Sequence, residues 1–313
     1  MEGTVTASCL RGVCGALLAV SAVFPTAPAA FRAQQFEVIT GRFGCRIERL
    51  TTSTRGEYQF QGVSRDGEWL LYGWTDGEDA DGNPVQGSER MNLVTGQIVP
   101  LPPELDNGGT FSADGATVVG VRYVAGGPPD LYVLDLASGQ WHELLPDPAA
   151  DFLASFSADG TGILFNSSRN GNSDVYLYER AAGTLRQLTD YEGYDAHAEL
   201  SPDGRRILFH RMVSDRVEGR YDFDLYAYEL ETGEETRLTW SPFEESYGSW
   251  APDSRTLVFS SDFEGQPEEH SLYVRHPDGS TSRLTGAEGW KDSYAHMPTA
   301  RSTGSWQRTS PAV

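Results

Sequence analysis

The sequence predicts an all-β fold: a β-propeller of four-stranded antiparallel blades, with five complete repeats and an incomplete sixth. Three observations carry this reading. One turn keeps returning: SRDG at 64–67, SADG at 112–115 and 157–160, SPDG at 201–204 and APDS at 251–254. Its aspartates, Asp66, Asp114, Asp159, Asp203 and Asp253, stand 48, 45, 44 and 50 residues apart, and a period in that range marks stacked supersecondary units. Between the turns run short segments of period-two alternation, and no amphipathic stretch of helical spacing intervenes.

The unit around Asp203 shows how each element is read. Residues 194–201 alternate loosely and lead into the turn. Pro202 fixes φ, Asp203 supplies a side-chain acceptor, and Gly204 supplies the φ > 0 position that a tight hairpin needs. RILFHR (206–211) follows as a strand rich in β-formers, and FDLYAYEL (223–230) alternates as a third strand. The segment 214–224 between them, with Arg216, Glu218, Arg220 and Asp222, reads as an exposed long hairpin. Thr232, Gly233 and Glu234 make the next turn, and ETRLT (235–239) is the fourth strand.

The second strand recurs at 69–72, 118–121, 163–165 and 257–259, and the third at 130–136, 174–179 and 271–276. In the first and least regular unit MNLV (91–94) takes the third place. Four short antiparallel strands per repeat make one propeller blade. The turn aspartates are expected to cap backbone N–H groups within their own turns.

Two remnants flank the five units. RIERLT (46–51) matches a fourth strand and YAHMPT (294–299) a first. A ring closes well when its N-terminal strand completes the last blade, which would make six blades. The polar tail 300–313 (ARSTGSWQRTSPAV) has no turn and no apolar alternation, so the chain is expected to end inside its sixth blade. A five-bladed ring with a loose tail is the alternative.

At the other end, Arg11 precedes an apolar run over 12–24, and Ala27-Pro28-Ala29 offers an A-x-A cleavage site. Residues 1–29 therefore read as an export leader, 30–299 as the propeller and 300–313 as the tail, with a periplasmic or secreted location. The leader's apolar run is too short to span a bilayer, and no later stretch reaches transmembrane length. Without the leader Cys45 is the last cysteine, so stability must come from packing. The 14 Tyr, 14 Phe and 7 Trp supply a sizeable core. A net charge of −21 excludes nucleic acid as a partner, because phosphate binding needs clustered Lys and Arg.

These turns, the ILF and DLY strands, the TGE turn and the RLT strand resemble the SPDG-type repeats of TolB-like propellers over about residues 38–299. The resemblance implies the fold. For function it spreads over periplasmic scaffolds, the propeller halves of prolyl-oligopeptidase-like peptidases and oligogalacturonate-lyase-like enzymes. The separate N-terminal α/β domain that it implies for TolB itself has no counterpart here, since only a short stretch lies between the leader and the first strand.

No catalytic residue is assigned. Tyr247-Gly248-Ser249-Trp250 lacks the second glycine of a nucleophile elbow. Asp79, Asp81 and Asn83 alternate like the start of a calcium loop, yet Pro84 stands where the sharp-turn glycine belongs, so 76–83 reads as a solvated loop. His197 and His296 occupy the same place in two units, just ahead of the innermost strand, which in a propeller lines the channel, with Asp195 and Asp292 nearby. Converging imidazoles and carboxylates could hold a divalent cation; the competing reading packs each histidine beside the channel.

Asp195, His197, Tyr247, Asp292 and His296 are thus the candidate ligand-binding residues of the channel rim, with His197 and His296 as candidate metal ligands. His210 reads as structural, and His142, His270 and His276 as exposed. Tyr191, Tyr194, Trp240, Trp250 and Trp290 read mainly as filler between blades. The expected function is an exported, non-catalytic propeller that binds a protein, peptide or glycan through one face. A metal-assisted enzyme acting on a polysaccharide is the alternative, as is a propeller fragment of a larger hydrolase.

Overall fold

The structure, a computed structural model, describes residues 5–9, 37–40, 45–49, 57–78, 84–102, 105–123, 127–217, 220–241, 243–263 and 270–284. β1 (Val5–Cys9), β2 (Glu37–Thr40) and β3 (Cys45–Arg49) form a three-stranded antiparallel sheet in the order β1-β3-β2. Five blades follow. Blade 1 is β4 (Glu57–Val63), β5 (Trp69–Glu78), β6 (Pro84–Asn92) and β7 (Ile98–Pro100). Blade 2 is β8 (Asp106–Phe111), β9 (Thr117–Tyr123), β10 (Pro129–Asp135) and β11 (Trp141–Glu143). Blade 3 is β12 (Asp151–Phe156), β13 (Gly162–Ser167), β14 (Asp174–Glu179) and β15 (Thr184–Gln187). Blade 4 is β16 (Asp195–Leu200), β17 (Arg206–Val217), β18 (Arg220–Glu229) and β19 (Glu235–Arg237). Blade 5 is β20 (Glu245–Trp250), β21 (Leu257–Ser261), β22 (Ser271–Arg275) and β23 (Thr281–Arg283).

Within each blade consecutive strands pair in order, and the first strand of each blade packs on the first strand of the next. That is the propeller expected from the repeat. Two expectations need correction or restriction. The third strand of blade 1 is β6, which ends at Asn92, so Leu93 and Val94 of MNLV lie in the following turn. The hairpin before it is long, and this shifts the strand upstream. As for a sixth blade, β3 pairs with β1 and β2, while residues 294–313 lie outside the described residues. β1 falls inside the leader read from the sequence, so the β2–β3 hairpin is what a cleaved chain would keep of that sheet.

The turns show why Ser, Asp and Gly recur. In blade 4 the Ser201 hydroxyl donates to Asp203 Oδ1 at 2.6 Å and accepts from the Arg206 N–H, while Asp203 Oδ1 also accepts from the Arg205 N–H. Gly204, at φ 73°, closes the loop onto the Ser201 carbonyl. The same bonds form around Asp66, Asp114 and Asp159. The capping role expected of these aspartates is thus met.

The second strands are the core, buried throughout in β13 and β21 because both faces meet neighbouring blades. Their phenylalanines stand directly opposite the tyrosines of the DLY strands: Phe165 with Tyr176, Phe209 with Tyr226 and Phe259 with Tyr273. Each pair stacks at 5.7–5.8 Å with planes 26–27° apart. Truncating one such ring to alanine would cost about 3–5 kcal/mol. The threonine of RLT locks the outer strand: Thr189 and Thr239 accept the Val175 and Leu225 N–H groups at 2.9 Å. The outer strand itself is exposed, fully so in β15.

Candidate functional site

Because the SPDG-type turns join first to second strands, every first strand begins at the opposite end of the ring. The connections from second to third strands, and from each blade to the next, emerge there too. The first strands all carry a bulge in this region: between Phe60 and Gly62, Asp106 and Gly109, Phe152 and Ser155, Ala196 and Glu199, and Ser246 and Ser249. One extra residue is accommodated in each of the last three by a left-handed residue, Leu153 (φ 56°), His197 (φ 53°) and Tyr247 (φ 51°). None of these is glycine, so each costs about 1 kcal/mol or more that the surrounding packing must offset.

His197 and Tyr247, from neighbouring blades, are brought together with ring centroids 4.6 Å apart. His210, from the second strand of blade 4, completes the group at 4.8 Å from His197 and 5.5 Å from Tyr247. Phe223 lies 4.9 Å from His210 and Tyr194 lies 6.1 Å from Phe223. The Tyr247 N–H donates to His210 Nδ1 at 3.4 Å, which assigns the ring proton to Nε2. His197 keeps some accessible surface but is enclosed by protein, and this desolvation pushes its pKa down to about 4. Burial, then the neighbouring His197, holds His210 well below the usual histidine range. Both imidazoles are neutral at pH 7.

Asp195 does not join them. It is fully buried and faces Arg211, its partner across the ladder. Burial pushes this carboxyl up and the two Arg211 bonds pull it back; with guanidinium nitrogens on both oxygens the pair is ionised. Asp292 and His296 lie outside the described residues. Among the described residues no three of His, Cys, Asp and Glu gather as a metal-binding set.

Three other expectations change. His270 is buried rather than exposed, with Nδ1 3.2 Å from the Ser260 hydroxyl and Nε2 3.7 Å from Glu244. Trp240 and Tyr191 are not filler, being 68% and 37% exposed, whereas Trp250 is core at 1%. Ser249 is buried and its hydroxyl donates to Glu199 Oε1 at 3.2 Å.

Glu199 is a group that sequence reading missed. Its Oε1 also accepts the Trp250 N–H of the next blade at 3.4 Å. Burial pushes its carboxyl up to about 8. The same seam position recurs elsewhere: Thr110 Oγ1 accepts the Phe156 N–H at 2.7 Å, and the Ser155 hydroxyl donates to the Ala198 carbonyl at 3.1 Å. The repeat register held the signal for this seam: these residues lie two positions before the SADG and SPDG turns.

Comparison with known proteins agrees with this geometry. Residues 92–218 match the family model described as the TolB beta propeller domain. No curated protein matches. Among solved structures, TolB from Acinetobacter baumannii is similar at TM-score 0.63 and 21% identity, over 80% of this chain and 63% of that one. The chain therefore spans less than two thirds of that relative. A putative TolB from Agrobacterium tumefaciens is similar at TM-score 0.62 and 20% identity, over 84% of this chain and 93% of that one. An oligogalacturonate lyase solved in complex with manganese follows at TM-score 0.52 and 17% identity, over 80% of this chain and 72% of that one. With the five meander blades and the matched repeat in agreement, this chain carries a TolB-like β-propeller.

Proposed function

We propose that the chain is an exported, non-catalytic binding propeller. It takes a protein, peptide or glycan on the end of the ring opposite the SPDG turns. One observation supports this reading above others: large aromatic side chains stand exposed on three separate connections at that end, Trp240, Phe263 and Tyr191, above buried blades. Exposed rings held on a packed scaffold are the usual anchors of recognition surfaces. Export rests on the leader in the sequence. The described residues contain no helix long and apolar enough to cross a membrane, which leaves membrane-spanning strands aside.

Screening the full chain against peptide and glycan arrays, beside Trp240→Ala, tests the reading. Ligands captured by the parent and lost by the variant support it. Turnover of oligogalacturonate by the parent in the presence of manganese would replace it with the polysaccharide-enzyme alternative.

A further inference from the structure

The chemistry of this end of the ring narrows the ligand, on the premise that the binding reading holds. We infer that its partner is a cationic, extended polypeptide segment with apolar side chains, seated across the β15–β16 and β19–β20 connections. The apolar half of the argument is the aromatic surface. Trp240 is 68% exposed, Phe263 41% and Tyr191 37%. Trp240 and Phe243 share one connection, and Phe243 meets Phe263 edge-on at 5.1 Å, so aromatic surface continues from blade 4 to blade 5.

The charged half is an imbalance. Three arginines at this end are held by carboxylates of the blades: Arg169 by Asp151, Arg211 by Asp195 and Glu235, and Arg237 by Asp224. Arg283 donates to the Ser271 hydroxyl and Arg122 lies over the Tyr132 ring, while by sequence the β17–β18 hairpin sets Arg216 and Arg220 among Asp215, Glu218 and Asp222. Arg211 lies against the Tyr191 ring at 4.5 Å and Arg237 lies 6.0 Å from Trp240, so these cations support the rings from below. The acids around Tyr191 are not committed in the same way. Asp190 and Glu192 flank Tyr191, are exposed, and make no ion pair among the described residues. Glu244, half-buried beside Phe243, is engaged, since it accepts from the Ser246 hydroxyl at 2.9 Å and lies 3.7 Å from His270 Nε2.

An aromatic platform rimmed on the β15–β16 side by Asp190 and Glu192, on a chain of net charge −21, attracts cations and repels uronates and phosphates. A neutral sugar would use the rings and gain nothing from the rim. A peptide with alternating basic and apolar side chains uses both.

The test is calorimetric titration of the full chain with four probes: acetylated KLKLK-amide, its QLQLQ and ELELE counterparts, and cellohexaose. KLKLK is expected to bind, QLQLQ about tenfold more weakly, and ELELE not at all. Trp240→Ala should weaken KLKLK about tenfold. Asp190→Asn with Glu192→Gln should weaken it and remove most of its salt dependence. Melting curves should be unchanged, since all three side chains are exposed. Equal binding of KLKLK and QLQLQ overturns the inference, and so does Trp240-dependent binding of cellohexaose alone; both leave the binding reading intact. KLKLK binding that ignores Trp240→Ala overturns the inference too. Binding of none of the four, with empty arrays, overturns both.

Discussion

Arg211 holds Asp195 by two N–H···O bonds of 2.7 Å, one from Nε and one from Nη2. The same guanidinium reaches Glu235 on the outer strand at 2.7 and 3.1 Å. It lies against the rings of Phe209 and Tyr226 at 5.2 and 4.8 Å. One side chain therefore ties the first, second and fourth strands of blade 4 over its stacked pair. Blade 3 repeats the device with Arg169 and Asp151, at 2.9 and 3.1 Å.

Removing one partner of such a pair leaves a buried charge alone, which costs about 3–5 kcal/mol. Arg211→Ala is accordingly expected to lower stability by that amount in urea unfolding. A well-packed double replacement, Arg211→Met with Asp195→Leu, should recover most of it. Equal losses in the single and double variants would show that the guanidinium's packing, and not the charge pair, is what matters.

Blade 5 lacks the arginine. Glu245 occupies the position of Asp195, but its ladder partner is Ser261, and Glu245 Oε2 is buried without a hydrogen bond. Burial, opposed by Thr239 and Ser241 and reinforced by Asp224, pushes Glu245 up to about 7. Glu199 is likewise raised, to about 8. A carboxyl raised above its ordinary value of 4.5 binds protons more tightly in the folded than in the unfolded chain. Stability therefore falls as pH rises from about 4.5 toward 7 for Glu245, and toward 8 for Glu199. Each group should contribute about 1–3 kcal/mol to that fall. Below about pH 6.5 the depressed histidines His197 and His210 gain stability as pH rises and oppose this fall, so melting temperature should decline in the parent from pH 6.5 to 9. Glu245→Gln should make the decline below pH 7 shallower and leave that between pH 7 and 8, whereas Glu199→Gln should remove the part between pH 7 and 8 and also make the rest shallower. A flat parent profile would mean that both carboxyls are solvated.

The turns and the strands that carry Phe209 and Tyr226 were legible because their signals are local: Asp203 and Gly204 sit within one tetrapeptide, and FDLYAYEL obeys a period of two; that the two rings stack across the ladder was not. His197 was singled out from repeat register alone, as the counterpart of His296 in another unit. Its actual neighbours were not. His210 comes from the next strand and Tyr247 from the next blade, and an extra bulged residue sets which side chains meet. Asp195 was read as free for a ligand because nothing in the sequence pairs it with Arg211 across the ladder. Trp240 and Tyr191 lie in connections, where no periodicity distinguishes an exposed ring from a buried one.

The metal reading of His197 and His296 yields a direct measurement. Among the described residues His197 is accompanied by one imidazole, His210, whose Nδ1 already accepts the Tyr247 N–H. Two neutral histidines with no carboxylate beside them among the described residues make a poor set for a divalent cation. Purified protein is expected to carry less than one metal per chain, with a melting temperature unmoved by manganese or zinc. Stoichiometric metal in the parent, lost in His197→Ala/His296→Ala, would instead establish a metal centre at the channel.

The turn of blade 5 departs from the others in a way that two variants can separate. Where the other four have glycine, it has Ser254 at φ 56°. The substitution has a reason, since the buried Ser254 hydroxyl accepts the Asp203 N–H of the neighbouring turn at 3.0 Å, and its carbonyl accepts from Arg206. Ser254→Ala keeps the strained backbone and loses the bond between blades, so it should cost about 1–2 kcal/mol. Ser254→Gly loses the same bond but relieves a left-handed cost of about 1–2 kcal/mol, so it should be close to neutral. Chemical denaturation of the two variants side by side reads the difference. Equal losses would show that the backbone at Ser254 stores no strain, and that the bond to Asp203 alone sets the residue at this position.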